Sequence, residues 1–235
     1  IKVAVIQDAP AAFDINATMQ KVYARAQEAA SQGAQLVVFP EAFLGGYPKG
    51  ADFGARVGMR SPEGRAGFAR YWHGAVEVPG SVTDSLGQIA AQNKLCIVMG
   101  AIERDGGTLY CCALYFASDG RLLGKHRKTM PTAMERLIWG FGDGSTLGVV
   151  ETEIGQSSAR LGAVICWENY MPLLRTAMYA QGIQLYCAPT VDDRDSWIPT
   201  MRHIASEGRC FVLSSCQFAR RSDYPADYAP IQKAS

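Results

Sequence analysis

Three side chains suited to nucleophilic or acid–base chemistry stand directly after apolar runs. Glu41 follows Leu36–Phe39 in LVVFPEAFLGGYP, Lys125–His126–Arg127–Lys128 precede the loop TMPTAMERLIWGFGDGS, and Cys166 closes an apolar run in LGAVICWENYMP. In α/β folds such positions are where sites are built, because a rigid sheet holds the loop that follows each strand. Glu41 suits a general base, although a loop carboxylate read alone is more often solvated. A run of basic residues usually marks a solvated face. Here it leads into a Pro-, Gly- and Trp-dense loop, so one lysine is expected to turn inward with Glu135 beside it. Cys166 passes into a polar turn and then a Pro-led helix. That is the layout of a nucleophile elbow, with backbone N–H groups placed to hold an oxyanion. Cys187, in LYCAPT, also ends a strand and is the rival; polar and helix-start flanks favour Cys166.

Other candidates carry less. Gly140, Gly142 and Gly144 lack the preceding strand and the Gly-Lys-Ser/Thr ending of a phosphate loop. His73, His126 and His203 are scattered. A Cys–His pair is the ordinary way to activate a thiol, so a Cys–His–Asp thiol protease using His126 or His203 is the rival enzyme class. Each histidine alone reads more simply as a surface or capping residue. A catalytically dead assembly subunit is the non-enzymatic alternative.

The elements that must position these groups alternate. Ile1–Ile6 and Leu36–Phe39 read as strands, with a helix between them capped by Asp14 and stopped at Gly33. Residues Gly45–Pro79 read as long loops with some helix. A helix over Thr83–Asn93 leads to a strand at Leu95–Gly100. The Asp105–Gly106–Gly107 turn joins it to a strand over Thr108–Ala117. Ser118–Asp119–Gly120 turns into Arg121–Lys125. After a Gly-rich loop come a strand at Leu161–Ile165 and a helix from Pro172 to Gln181. A strand at Gln184–Ala188, a helix over Trp197–Glu207 and a strand at Phe211–Ser215 complete the pattern. Strand–helix alternation with one hairpin region gives an α/β layered fold with mixed sheets.

Composition sets the outer bounds. The chain has 235 residues, close to half of them hydrophobic, and a formal net charge of +1. That suits one domain over residues 1–235 with a sizeable core, and it disfavours a nucleic-acid groove or an anionic membrane surface. No apolar run approaches the roughly 20 residues that span a bilayer. The seven cysteines include no C-x-x-C spacing. A disulfide framework and a structural zinc site are therefore not expected, and a cytoplasmic location is. The chain opens at Ile1 rather than Met, which leaves room for an upstream piece.

Taken together, the blocks resemble the nitrilase superfamily, from VAVIQ near the start to CFVLSSCQF near the end. The three marker regions occur in order: FPEAFLGGYP, HRKTMPT and ICWENYMP. The resemblance implies an α/β four-layer α-β-β-α sandwich of mixed sheets and a Glu41–Lys128–Cys166 triad, with Glu135 as a further glutamate of the site. CWEN followed by MP, ERLIWGFGDGS and GGYPKG look like the nitrilase branch as in plant and bacterial nitrilases, as do MYAQGIQLYCAP and HIASEGRCFVLSSCQF. Cyanide-degrading enzymes and amidases of the same superfamily are the alternatives. Ser206 departs from the pattern, where relatives carry an apolar residue. The implied reaction is hydrolysis of a nitrile to a carboxylic acid and ammonia through a cysteine thioimidate and thioester. It needs no metal or organic cofactor. Trp167, Trp197 and Tyr47 are expected to meet the substrate, and the Trp167 N–H to act as a donor. Family members form homo-oligomers, dimers and spiral assemblies of them. They also run well past 300 residues, so the sandwich is expected to be cut short at its C-terminus, with the natural chain continuing beyond Ser235.

Overall fold

Strand residues divide alternately between two cores, and that alternation builds the layers. The computed structural model describes residues 1–228. In the first sheet Leu36, Val38, Cys96 and Val98 face one core, while Val37, Phe39, Ile97 and Met99 face another. This is the period of two expected of extended chain. The strands are β1 (Val3–Val5), β2 (Leu36–Val38), β3 (Cys96–Asp105), β4 (Thr108–Phe116) and β5 (Leu122–Arg127), hydrogen-bonded in that order. β1, β2 and β3 run parallel, and β3, β4 and β5 antiparallel. The second sheet is β6 (Val150–Ile154), β7 (Ser157–Ala163), β8 (Leu185–Thr190) and β9 (Phe211–Cys216). β6 pairs antiparallel with β7, and β7, β8 and β9 are parallel.

Helices cover the outer faces. α1 (Ile15–Ser31) and α3 (Ser81–Asn93) pack Val22, Ala26, Leu86 and Ala90 on the first sheet. α4 (Pro172–Ala180) and α5 (Trp197–Gly208) pack Met178, Met201 and Ile204 on the second. The core that Leu36 and Val98 face lies between the two sheets and joins them and Ala113 to Ile154, Leu161 and Cys187. Helix, sheet, sheet and helix form the four layers that the family resemblance implies. Asp14 caps α1, its side chain accepting from the Ala17 N–H at 2.9 Å, and Gly33 follows the helix at φ 80°.

Two elements differ from the sequence reading. α2 (Pro62–Gly74) occupies part of the region read as long loops. Its Gly, Arg and aromatic content hides the helical period, but Ser61 caps it by accepting from the Gly64 N–H, with Pro62 in the first turn. β6 lies within the segment read as loop, with Thr152 and Ile154 buried and Glu151 and Glu153 exposed. β7 accordingly starts at Ser157 and ends at Ala163, so Val164 and Ile165 lie beyond the strand and lead into the turn at Cys166. Among the described residues no strand follows β9. Residues 229–235 lie outside the described residues. No helix among the described residues is long and apolar enough to cross a membrane.

Candidate active site

The alternation of β5 decides which lysine turns inward. Lys125 and Arg127 share one face and both reach Glu103, Arg127 through two hydrogen bonds of 2.7 and 2.8 Å. His126 and, just past the strand, Lys128 share the other face, and both are fully buried. The Lys128 Nζ donates to Glu41 Oε1 at 2.7 Å and to Glu135 Oε2 at 2.8 Å. It also stands 5.6 Å from the centre of the Trp139 ring.

Glu41 arrives on the loop after β2, in a turn tied to β3. Phe39 N–H donates to the Val98 carbonyl at 2.8 Å, and Leu44 N–H to that of Gly100 at 3.0 Å. Gly100 is required there: a Cβ would fall 1.9 Å from the Pro40 carbonyl oxygen. The Gln217 amide holds the Glu41 carbonyl at 2.6 Å. Glu41 Oε1 takes Lys128 and a weak contact from the Cys111 thiol at 3.6 Å. Its Oε2 has no hydrogen-bond partner among the described residues although it is buried. Burial lifts the proton affinity of Glu41 above the usual carboxylate range, and Lys128 offsets only part of that. A buried carboxylate with a free oxygen and a raised proton affinity is equipped to act as a base.

Cys166 opens a short 3-10 turn, Cys166–Tyr170, at φ 49°. Non-glycine residues rarely adopt this conformation, and it persists only where neighbours hold it. The Asn169 amide donates to the carbonyls of Val164 and Cys166 at 2.9 and 2.8 Å. Tyr186 and Arg175 fix Asn169 in turn, at 3.0 and 2.8 Å. Cys166 is 7% exposed. Burial and the nearby Glu41 charge push its pKa up to about 12, against the opposing pull of Lys128 and Thr190. It is therefore a protonated thiol at neutral pH and needs a base to become a nucleophile. The Glu41 carboxylate lies close enough for its charge to raise that pKa. The rival Cys187 is also buried, and burial alone accounts for its raised pKa.

The structure brings Glu41, Lys128, Glu135 and Cys166 together and adds Tyr47, whose hydroxyl donates to Glu135 Oε1 at 2.7 Å. Trp167 is half-buried at the rim, with the Arg136 guanidinium 5.4 Å from its ring. Trp197 stands apart from the group. It is 4% exposed in the core beneath α5, its indole N–H donating to Ser214 at 2.8 Å and its ring edge-on to Tyr170. A helix-start aromatic after a loop can face either way, and here the apolar partners on β8 and α5 take it inward. His126 meets Glu168 rather than a thiol, and His203 is exposed on α5 near Glu207. Sequence reasoning passed over Cys111, Trp139, Thr190 and Glu168. Only Glu168, beside Cys166 in a turn, carried a signal, because a charged residue there must find donors once buried.

Beside Glu135 opens a cavity of ≈ 450 Å³ lined by Tyr47, Ala51, Met134, Ile138 and Trp139. Trp139 is held by its N–H to the Tyr71 hydroxyl at 3.0 Å.

Comparison with known proteins follows the same lines. A family model described as carbon-nitrogen hydrolase matches residues 2–228. An aliphatic nitrilase of Sinorhizobium fredii (strain HH103) is 62% identical over 95% of this chain and 71% of its own length. The bifunctional nitrilase/nitrile hydratase NIT4A of Lupinus angustifolius is 56% identical over 96% of this chain and 63% of its own. This chain thus spans about two thirds of the length of such relatives. Among solved structures, a mutant amidase from Nesterenkonia sp. AN1 bearing acrylamide added at its active-site cysteine superposes with a TM-score of 0.70. It is 18% identical, over 92% of this chain and 78% of that one.

Proposed function

The chain belongs to the carbon–nitrogen hydrolase family, and we propose that it is a nitrilase, converting a nitrile to its carboxylic acid and ammonia with Cys166 as nucleophile. The observation that carries this reading is the buried Lys128 ammonium held between Glu41 and Glu135, with the elbow thiol near enough to feel the charge of Glu41 and Lys128.

A nitrile carbon is a weak electrophile. Its attack calls for a thiolate and for stabilisation of the charge that develops on nitrogen. Glu41 removes the Cys166 proton as the sulfur–carbon bond forms, and the proton passes to the nitrile nitrogen to give a thioimidate. Lys128 stabilises the developing negative charge, first on nitrogen and then on oxygen. The Trp167 N–H is a second donor, since the first N–H groups of a helical turn have no partner within it. A water adds to the thioimidate carbon, ammonia leaves and a thioester remains. A second water releases the acid and restores the thiol. Glu135, fixed by Lys128 and Tyr47, orients the lysine and the water.

The apolar lining of the cavity beside Glu135 supports a nitrile with an apolar substituent. Release of part of the product as amide is a second outcome, favoured by the likeness to the bifunctional lupin protein. The shared core between the sheets supports a single domain. The seven free cysteines support a reducing cytoplasm, and exposed Leu173 and Ile198 on the outer helices support a homo-oligomer. The test is ammonia release from a panel of aliphatic and arylaliphatic nitriles, the matching amides, and cyanide. Turnover of amides or cyanide with none of any nitrile overturns the reading.

A further inference from the structure

We propose that Glu168 is a positioning residue whose single carboxylate sets the spacing between Lys128 and Cys166 by holding the backbone next to each. The inference rests on the reading of those two residues as reacting groups. Glu168 Oε1 accepts from the Thr129 N–H and the Thr129 hydroxyl, both at 2.7 Å. Its Oε2 accepts from the Ile165 N–H at 2.8 Å. Thr129 directly follows the lysine and Ile165 directly precedes the nucleophile. These two segments leave different sheets, one after β5 and the other after β7. The register of neither sheet fixes their separation, and Glu168 is the group that bonds to both.

The carboxylate is built for that task. It is fully buried, and so is His126, whose Nε2 lies 3.2 and 3.0 Å from its two oxygens. With both neighbours acceptors, that nitrogen carries the proton. A carboxylate offers about four acceptor sites, and here it meets four donors: two from Thr129, one from Ile165 and one from His126. Burial alone would lift its proton affinity, yet the His126 and Thr129 contacts hold Glu168 below its ordinary value. It is therefore an anion that only accepts, as a clamp on two backbone segments must be. Such charge-assisted bonds are short and directional.

The consequence lies in the transition state. The nitrile carbon must reach the Cys166 sulfur while its nitrogen lies against the Lys128 ammonium, and a misplacement of about 1 Å costs on the order of 10²-fold in rate. Ground-state binding of the substituent in the cavity does not depend on that spacing. Loss of the clamp should therefore appear in kcat and leave KM nearly unchanged. A carboxylate that only stabilised two loops would show its loss in the melting temperature, with normal turnover well below it.

The experiment measures kcat, KM and Tm for Glu168→Gln and Thr129→Val, assayed well below each Tm, with Cys166→Ala alongside. Glutamine keeps the shape but presents an amide N–H to a backbone N–H. Glu168→Gln is expected to lose roughly 30- to 100-fold in kcat, with KM within about threefold. Thr129→Val, which removes one donor of four, should lose less in the same direction and decides the matter if the glutamine variant fails to fold. Wild-type kcat in either folded variant, or a loss carried by KM, overturns the positioning role. Turnover surviving in Cys166→Ala overturns the underlying reading instead. A dead Cys166→Ala beside a full-speed Glu168→Gln overturns this inference alone.

Discussion

Replacing Lys128 by Met separates the charge of this side chain from its bulk. Methionine fills much of the same space without a cation. Lys128 is 1% exposed and is the shared ion-pair partner of Glu41 and Glu135, at 2.7 and 2.8 Å. Its removal leaves the buried Glu41 carboxylate facing the half-buried Glu135 carboxylate. Breaking a buried pair by removing one partner costs about 3–5 kcal/mol. For a domain of this size that lowers Tm by about 6 to 20 °C, at roughly 2–4 °C per kcal/mol. The raised proton affinity of Glu41 places the result towards the lower end, because Glu41 is already biased to take up a proton. On the proposed mechanism catalysis loses the charge facing the nitrile nitrogen, and deleting one such donor costs about 10²–10³ in kcat. The two effects separate in Lys128→Met/Glu135→Gln. Neutralising the stranded carboxylate should restore part of the Tm and none of the rate. Lys125→Met is the control. Lys125 lies on the opposite face of β5, and Glu103 keeps Arg127 when it is lost. Ammonia release and thermal unfolding are measured on all three. Equal rate losses for the two single lysine variants, or full rate recovery in the double variant, would refute the assignment of the charge.

Cys166→Ala should keep its circular dichroism and fall below about one per cent of wild-type ammonia release, since loss of a nucleophile usually costs far more than that; surviving activity would move the nucleophile elsewhere. Trp197→Ala removes a core indole and its bond to Ser214, so stability should drop by about 3–5 kcal/mol with no change in preference among nitriles. A shift towards bulkier substrates at unchanged Tm would return Trp197 to the substrate pocket. Alkylation of Cys166 by iodoacetamide should climb with pH through the alkaline range, because its pKa is pushed up to about 12. Glu41→Gln removes a charge that raises that value and should move the alkaline limb to lower pH. An unshifted limb, followed by mass spectrometry of the labelled peptide, would show that Glu41 is not electrostatically coupled to the thiol.

The parts of the fold written in local chemistry were legible. Asp14, Gly33, the Asp105–Gly107 turn and Pro172 each act within a few residues of themselves, and the structure uses each as the sequence suggested. α2 and β6 were not legible, the first because glycines and arginines blur its period, the second because its apolar face is only every other residue. The site divides the same way. Glu41, Lys128 and Cys166 stand where strands end, so their candidacy could be read from spacing. That Lys128 rather than Lys125 faces inward depends on the parity of β5 against the sheet. Trp197 illustrates the limit: its position at the start of α5 was clear, but its direction is set by apolar partners on β8 and α5. Glu168 was invisible as a clamp because its partners lie 39 residues away at Thr129 and 42 at His126.

The two sheets divide the reacting groups between them. Glu41 and Lys128 belong to the half of the chain that ends with β5, and Cys166 to the half that begins with β6. Neither half holds the proposed nucleophile together with its proposed base. On the proposed roles, turnover is therefore a conjunction of two surfaces carried by different sheets, and it reports their docking. A chain cut in the loop after Gly142 would yield two inert fragments. Whatever activity they recover on mixing would measure the affinity of one sheet for the other, so the thioester chemistry doubles as a complementation assay for the core of Leu36, Val98, Leu161 and Cys187.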